Sequence, residues 1–249
     1  MTNQKLYDAI FTRKSVRKYD MMTLSEEVME EIKDYADNLL PLDGSIRYSI
    51  SFLSEVDSKF LIPAKVAPHY ICIYSEKKDG YLMNAGFLLQ QIDLYLSAKG
   101  IGSCWLGFFK PKKEVQNGLE FVILLAFGNS IEAVHRKNTS EFSRKSFSEI
   151  SSIKGAEKLL EPVRLAPSAT NSQPWFFSGD LQKIVVSRQK LSKLKATFIS
   201  RYNQMDIGIA LYHLWLSLEH EGKTAAFDFN YGDAPEGYEF MVKVIAKEK

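Results

Sequence analysis

Residues 166–175 read Ala-Pro-Ser-Ala-Thr-Asn-Ser-Gln-Pro-Trp. Pro167 and Pro174 bracket Ser168, Thr170, Asn171, Ser172 and Gln173. Proline stops a helix and pushes the residue before it toward extended geometry. The segment therefore predicts a stiff loop carrying small hydroxyl and amide groups. An amphipathic run with Ala156, Leu159, Leu160 and Val163 precedes it, and the aromatic pair Phe176-Phe177 follows. Groups that donate and accept in fixed directions suit the polar edge of a planar heterocycle. The same composition also fits an ordinary helix-to-strand turn.

The chain around this loop has ordinary globular composition: 249 residues, 45% apolar, 25% charged. A net charge of +2 makes no overall electrostatic case for nucleic acid or an acidic membrane. The longest apolar run, residues 121–127, is too short to span a bilayer. Met1-Thr-Asn-Gln-Lys5 carries no apolar signal core, so the expected location is cytoplasmic. Cys72 and Cys104 lie in apolar surroundings and read as free core thiols. No linker rich in Gly, Pro or Ser divides the chain.

Toward the N-terminus, Leu6, Ile10 and Phe11 fit one face of a first helix. It runs into Arg13-Lys-Ser-Val-Arg-Lys-Tyr19, where Arg13, Ser15 and Arg17 alternate. An extended backbone places alternate residues on one side. Two guanidiniums and a hydroxyl there would make a phosphate clamp, although from these residues alone a basic, solvated helix end is the better reading. Thr23-Leu-Ser-Glu26 predicts a capping box and a helix to about Leu40, with Val28, Ile32, Ala36 and Leu39 on one face. Residues 69–75 predict a strand. Met83 to Lys99 predicts a helix that is apolar on most sides, closed by Gly100. The segment 101–108, Ile-Gly-Ser-Cys-Trp-Leu-Gly-Phe, lacks the third glycine of a dinucleotide fingerprint and follows a helix. Gly107 in it permits close backbone approach. Residues 121–128 predict a central strand. Lys110, Lys112 and Lys113 read as a solvated turn.

The second half echoes the first. Met83, Gly86, Leu89, Leu94 and Gly100 match Met205, Gly208, Leu211, Leu216 and Gly222 at a constant offset of 122, and Asn84 faces Asp206. Two glycines fourteen apart in both copies carry more weight than the leucines. Each long helix is preceded by a shorter amphipathic helix and a strand (184–187 in the second half) and followed by strands (225–230 and 238–245).

The 166–175 loop resembles the signature loop of the nitroreductase-like FMN flavoproteins. Arg13-x-Ser15-x-Arg17 resembles that family's N-terminal element, and residues 101–108 and 141–150 resemble two more of its elements. The resemblance implies an α+β fold of two related halves, each with helices on a mainly antiparallel sheet. Residues 1–143 and 144–249 would then form an intrachain pseudo-dimer. It implies that Arg13, Ser15 and Arg17 hold the FMN phosphate, assisted by Arg144 and Lys145, although Ser146 stands where the family usually has proline. It implies that backbone at Leu106 and Gly107 approaches the flavin, and that Pro167, Ser168, Ala169 and Asn171 line its other side. Gln173 and Trp175 are expected to fix the loop. Half one lacks the loop, and Ser148 stands where half two would need its second arginine. One FMN per chain between the halves is therefore expected.

The activity implied is an NAD(P)H oxidoreductase passing electrons, in ping-pong fashion, to a small-molecule acceptor such as a nitroaromatic or quinone. The segment 54–66 is expected to shape the acceptor pocket. The assembly expected is a monomer or weak homo-oligomer. No hydrolase triad or metal-binding motif is present, and no catalytic side chain and no metal are expected; His69, His135, His213 and His220 read as structural or surface residues. Two alternatives remain: a flavin-consuming or dehalogenating relative, and a degenerate flavin-binding or flavin-free interaction protein.

Overall fold

The computed structural model describes residues 1–58, 66–230 and 232–249, without the side chains of 58 and 193–198. Most of the segment 54–66, expected to shape an acceptor pocket, lies outside the described residues. The chain divides into two units, Thr12–Thr139 and Met1–Phe11 together with Ser140–Lys249. Helix α1 (Asn3–Ile10), capped by the Thr2 side chain, belongs to the second of these.

In the unit Thr12–Thr139, helix α2 spans Glu26–Ala36. Its N-cap is Ser25, whose hydroxyl accepts from the Val28 N–H, so the box expected at Thr23 is not the one formed. The helix also ends before Leu40. Asn38 turns its amide back onto the Asp34 carbonyl at 2.7 Å, and Pro41 disfavours helical geometry at residue 40. Strands β1 (Tyr48–Leu53), β2 (Asp57–Ser58) and β3 (His69–Ser75) follow, then helix α3 (Tyr81–Ala98). Strands β4 (Gly102–Leu106), β5 (Phe109–Lys110), β6 (Val115–Gln116) and β7 (Leu119–Gly128) complete it. The main sheet runs β1-β3-β7-β4, all antiparallel, with β6 on the end of β7 and β2 pairing β5 separately. Every residue of β3 is buried, and α3 is buried from Leu82 to Ser97. A helix that is apolar on all sides needs such a setting. Gly100 follows α3 with φ +74°, as its predicted capping role requires.

In the other unit, α4 (Phe147–Ile150) and α5 (Glu157–Arg164) lead to strands β8 (Trp175–Gly179) and β9 (Lys183–Gln189). Helix α6 (Lys193–His220) follows, then β10 (Lys223–Asp228) and β11 (Tyr238–Glu248). The sheet runs β8-β9-β11-β10, again antiparallel throughout. Counting only the long strands, both sheets have the order first-second-fourth-third. In both, the long helix joins the second strand to the third.

The expected sequence halves and the compact units differ at the N-terminus. Helix α1 packs on α6, with Tyr7 stacked on His220 at 3.9 Å and Gln4 bonded to His220 Nδ1 at 3.0 Å. Residues 1–11 thus join the later unit, whose boundary falls at 139/140. Among the described residues, no helix is long and apolar enough to cross a membrane.

Candidate functional site

Residues 13–19 form no helix and bridge to neighbouring segments at Arg13, Ser15 and Tyr19, the setting in which Arg13, Ser15 and Arg17 were expected to share a side. Val16 N–H donates to the Ser103 carbonyl at 2.8 Å, and isolated bridges join Arg13 to His135 and Ser15 to Ser103. The run lies so close to β4 that a Cβ on Gly102 would meet Val16 Cγ1 at 2.8 Å. That position takes a glycine for reasons of space.

The three side chains do not share one environment. Arg13 is 3% exposed, and its Nε donates to Asp93 Oδ2 at 2.7 Å. Its Nη2 reaches Ser15 Oγ at 3.2 Å, and Ser103 Oγ donates to Asp93 Oδ1 at 2.5 Å. Arg13 is therefore a buried, charge-compensated anchor of the extended run on α3, with Nη1 outside these bonds. Ser15 is half-buried beside it. Arg17 is exposed and forms no ion pair among the described residues. Of the two guanidiniums, Arg17 alone presents an uncompensated charge. At the end of β4, Leu106 is half-buried against the cluster of Tyr70, Tyr74, Leu124 and Phe109, and Gly107 is half-buried in the turn that follows. Lys110 and Lys112 sit in exposed ion pairs with Glu114 and Glu55.

The 166–175 loop has an unusual backbone. Thr170, Asn171 and Gln173 have φ of +52°, +58° and +45°, three of the four positive-φ positions outside glycine among the described residues. Each such position costs about 1–3 kcal/mol and persists only where its surroundings over-determine it. Here they do. Gln173 N–H donates to Ser168 Oγ at 2.9 Å, and the Gln173 amide donates to the Asn171 carbonyl at 3.1 Å. Gln173 Oε1 accepts from Lys145 N–H at 2.8 Å, while Lys145 Nζ donates to the Gln173 carbonyl at 3.0 Å. Arg144 bonds Asn171 Oδ1 at 2.8 Å and the Leu165 carbonyl at 3.1 Å, and Asn171 Nδ2 returns to the Ser143 carbonyl at 2.9 Å. From α6, Asp206 Oδ1 accepts from Ala169 N–H at 3.0 Å.

Arg144 and Lys145, expected beside the phosphate, hydrogen-bond to Asn171, Gln173 and the Leu165 carbonyl and so brace the loop. Burial lowers the Lys145 pKa, in keeping with an ammonium turned onto backbone. Pro167 and Gln173 are buried, Ser168 and Ala169 half-buried, Asn171 and Thr170 exposed. The expectation that Gln173 fixes the loop matches its bonds, and Trp175 is 1% exposed. His213 bonds the Pro162 carbonyl at 2.7 Å.

Asp93, Ser103 and Asp206 were not among the expected site residues. The acids carried a signal: each stands between apolar neighbours, Ile92 and Leu94 for Asp93, Met205 and Ile207 for Asp206, and a charge buried there needs a partner. Nothing local marks Ser103.

No curated protein matches the chain. A Thermotoga maritima structure described as a "putative nitroreductase" shares 22% identity, covering 98% of this chain and 95% of its own, with a TM-score of 0.65. A Clostridium difficile nitroreductase family protein covers 58% of this chain and 94% of its own at 17% identity and a TM-score of 0.44. A Desulfitobacterium hafniense nitroreductase with bound FMN covers 59% and 100% at 13% identity and 0.43. The model of the family described as "Putative TM nitroreductase" matches residues 5–218. The chain belongs to that nitroreductase family, and the membership supports a general oxidoreductase function.

Proposed function

We propose that the chain is an FMN-dependent NAD(P)H oxidoreductase that holds one FMN and reduces small acceptors such as nitroaromatics or quinones. The observation that carries this reading is the over-determined loop Ser168–Gln173. A chain keeps three left-handed side-chain-bearing residues in six only where the surface they form is useful. A fixed array of hydroxyl, amide and backbone groups suits the polar edge of a flavin.

The residues present fit that group. Arg17 offers an exposed guanidinium with no ion pair among the described residues, which suits a phosphate. Asp206 Oδ2, buried behind the loop, has no hydrogen-bond partner among the described residues, so polar capacity remains there. When bound, FMN supplies the capacity to accept a hydride from a nicotinamide and to pass electrons on to a second substrate. Everything assigned to the protein is binding and orientation. Arg17, with Ser15, holds the phosphate. Arg13 fixes the run that carries them through Asp93. Ser168, Ala169 and Asn171 present the loop, with Pro167 stiffening its start, and Leu106 and Gly107 offer backbone at the end of β4. Arg144 and Lys145 hold the loop's shape. No side chain is assigned a proton transfer.

One observation favours a second reading, a flavin-free interaction protein. Arg13 is already compensated by Asp93, which leaves a thinner phosphate clamp. Titration with FMN and with riboflavin, followed by flavin fluorescence, separates the two. The enzyme reading expects saturable FMN binding, weakened about tenfold or more by Arg17→Ala, since a charge-assisted contact contributes roughly 1.5–3 kcal/mol. Riboflavin, which has no phosphate, should bind the variant and the parent alike. Failure of the parent to bind either flavin would refute the reading.

A further inference from the structure

We propose that Asp206 is the positioning residue of the signature loop, fixing from α6 the shape that Ser168, Ala169 and Asn171 present to a flavin. The link to flavin rests on the function proposed above; the positioning itself does not.

Three observations carry it. First, Asp206 is 3% exposed, and its Oδ1 accepts from the N–H of Ala169, the residue immediately before the left-handed pair Thr170 and Asn171. Fixing that amide fixes the entry to the strained backbone. Second, Oδ2 is buried with no hydrogen-bond partner among the described residues. An ionised carboxylate with one N–H and no other partner is costly to bury, whereas a neutral acid leaves only one O–H unsatisfied. Burial accordingly pushes Asp206 up to about 8. It acts as a neutral acceptor, chemically close to an asparagine side chain.

Third, an asparagine does the same work in the other unit. Asn84 follows Met83 in α3 as Asp206 follows Met205 in α6. Asn84 is 1% exposed, and its Oδ1 accepts from Leu42 N–H at 2.8 Å and Asp43 N–H at 3.1 Å. Leu42 and Asp43 follow Pro41 as Ser168 and Ala169 follow Pro167. In each unit the long helix reaches back to the residues just after the proline that follows the shorter helix. The device recurs with the strand order, so it belongs to the architecture. Only around Asp206 does the loop held in this way carry a run of left-handed residues.

The test compares the parent, Asp206→Asn and Asp206→Ala at pH 6. It reads hydrogen exchange of the Ala169 amide and FMN affinity by fluorescence. Asp206→Asn keeps the acceptor and should preserve amide protection and affinity to within about threefold. Asp206→Ala should lose Ala169 protection and bind FMN about tenfold or more weakly, the loss of one buried hydrogen bond. Unchanged protection and affinity in Asp206→Ala overturns the proposal. So does an Asp206→Asn protein as impaired as the alanine variant. If the alanine protein does not fold, Asp206→Asn decides: protected supports, unprotected overturns. A parent that binds no FMN refutes the flavin reading, and the exchange result still decides this one.

Discussion

The substitution Asp206→Asn also makes a quantitative prediction about stability against pH. In the folded chain burial raises Asp206 from 3.8 to about 8, with the Ala169 N–H pulling the other way. No charged side chain among the described residues contributes to this shift. The folded chain therefore keeps a proton that the unfolded chain releases as pH passes 3.8. A group with a raised folded pKa contributes stability that is fully present below its unfolded value. That contribution fades as pH rises and is gone above the folded value, here about 8. Each pH unit in the window is worth at most about 1.4 kcal/mol. Asparagine cannot ionise, and every other titrating group is common to both proteins. The stability of the variant relative to the parent should grow by up to about 4 kcal/mol between pH 5 and pH 8, then level off. Urea denaturation at pH 5, 6, 7, 8 and 9, followed by circular dichroism, measures the difference directly. Parallel curves for the two proteins would refute the argument, because they would mean that Asp206 is ionised in the folded chain.

Other substitutions probe the remaining contacts. Asp93→Ala leaves the Arg13 guanidinium buried without its carboxylate and should lower stability by about 3–5 kcal/mol, read from the urea midpoint. A loss under 1 kcal/mol would mean the pair is solvated. Gly102→Ala places a methyl 2.8 Å from Val16 Cγ1 in β4. It should cost about 1–3 kcal/mol by overpacking, seen as a lower melting temperature. Arg144→Ala removes the bonds to Asn171 and Leu165, so FMN and riboflavin affinities should fall together. Loss confined to FMN would assign Arg144 to the phosphate.

What the sequence disclosed, and what it hid, follows from the range of the forces involved. Strand β3 coincides with the run read at residues 69–75, and β7 contains the predicted central strand. Both are continuous apolar stretches whose burial leaves little choice. The offset of 122 that set Asn84 opposite Asp206 falls on two long helices, each joining the second strand of its sheet to the third, but their common reach to a post-proline loop was not legible in it. The capping box was misplaced because Thr23 and Ser25 are both good caps, and only the path of the chain selects Ser25. The alternation of Arg13, Ser15 and Arg17 could not reveal Asp93, eighty residues away on α3. Likewise, the sequence could not reveal that the basic pair Arg144-Lys145 engages the carbonyls of Leu165 and Gln173, because backbone partners are invisible in a list of side chains. The association of α1 with the later unit rests on the Tyr7–His220 stack, a contact between residues 213 positions apart.

The most direct test of the central claim is the visible absorption spectrum of the purified protein equilibrated with excess FMN and freed of unbound flavin, before and after anaerobic addition of NADH or NADPH. The account predicts one flavin per chain, bleached by at least one of the two nucleotides and restored by a quinone or nitroaromatic acceptor. No retained flavin, or a flavin that neither nucleotide reduces, would contradict the oxidoreductase, and two flavins per chain would contradict the single site.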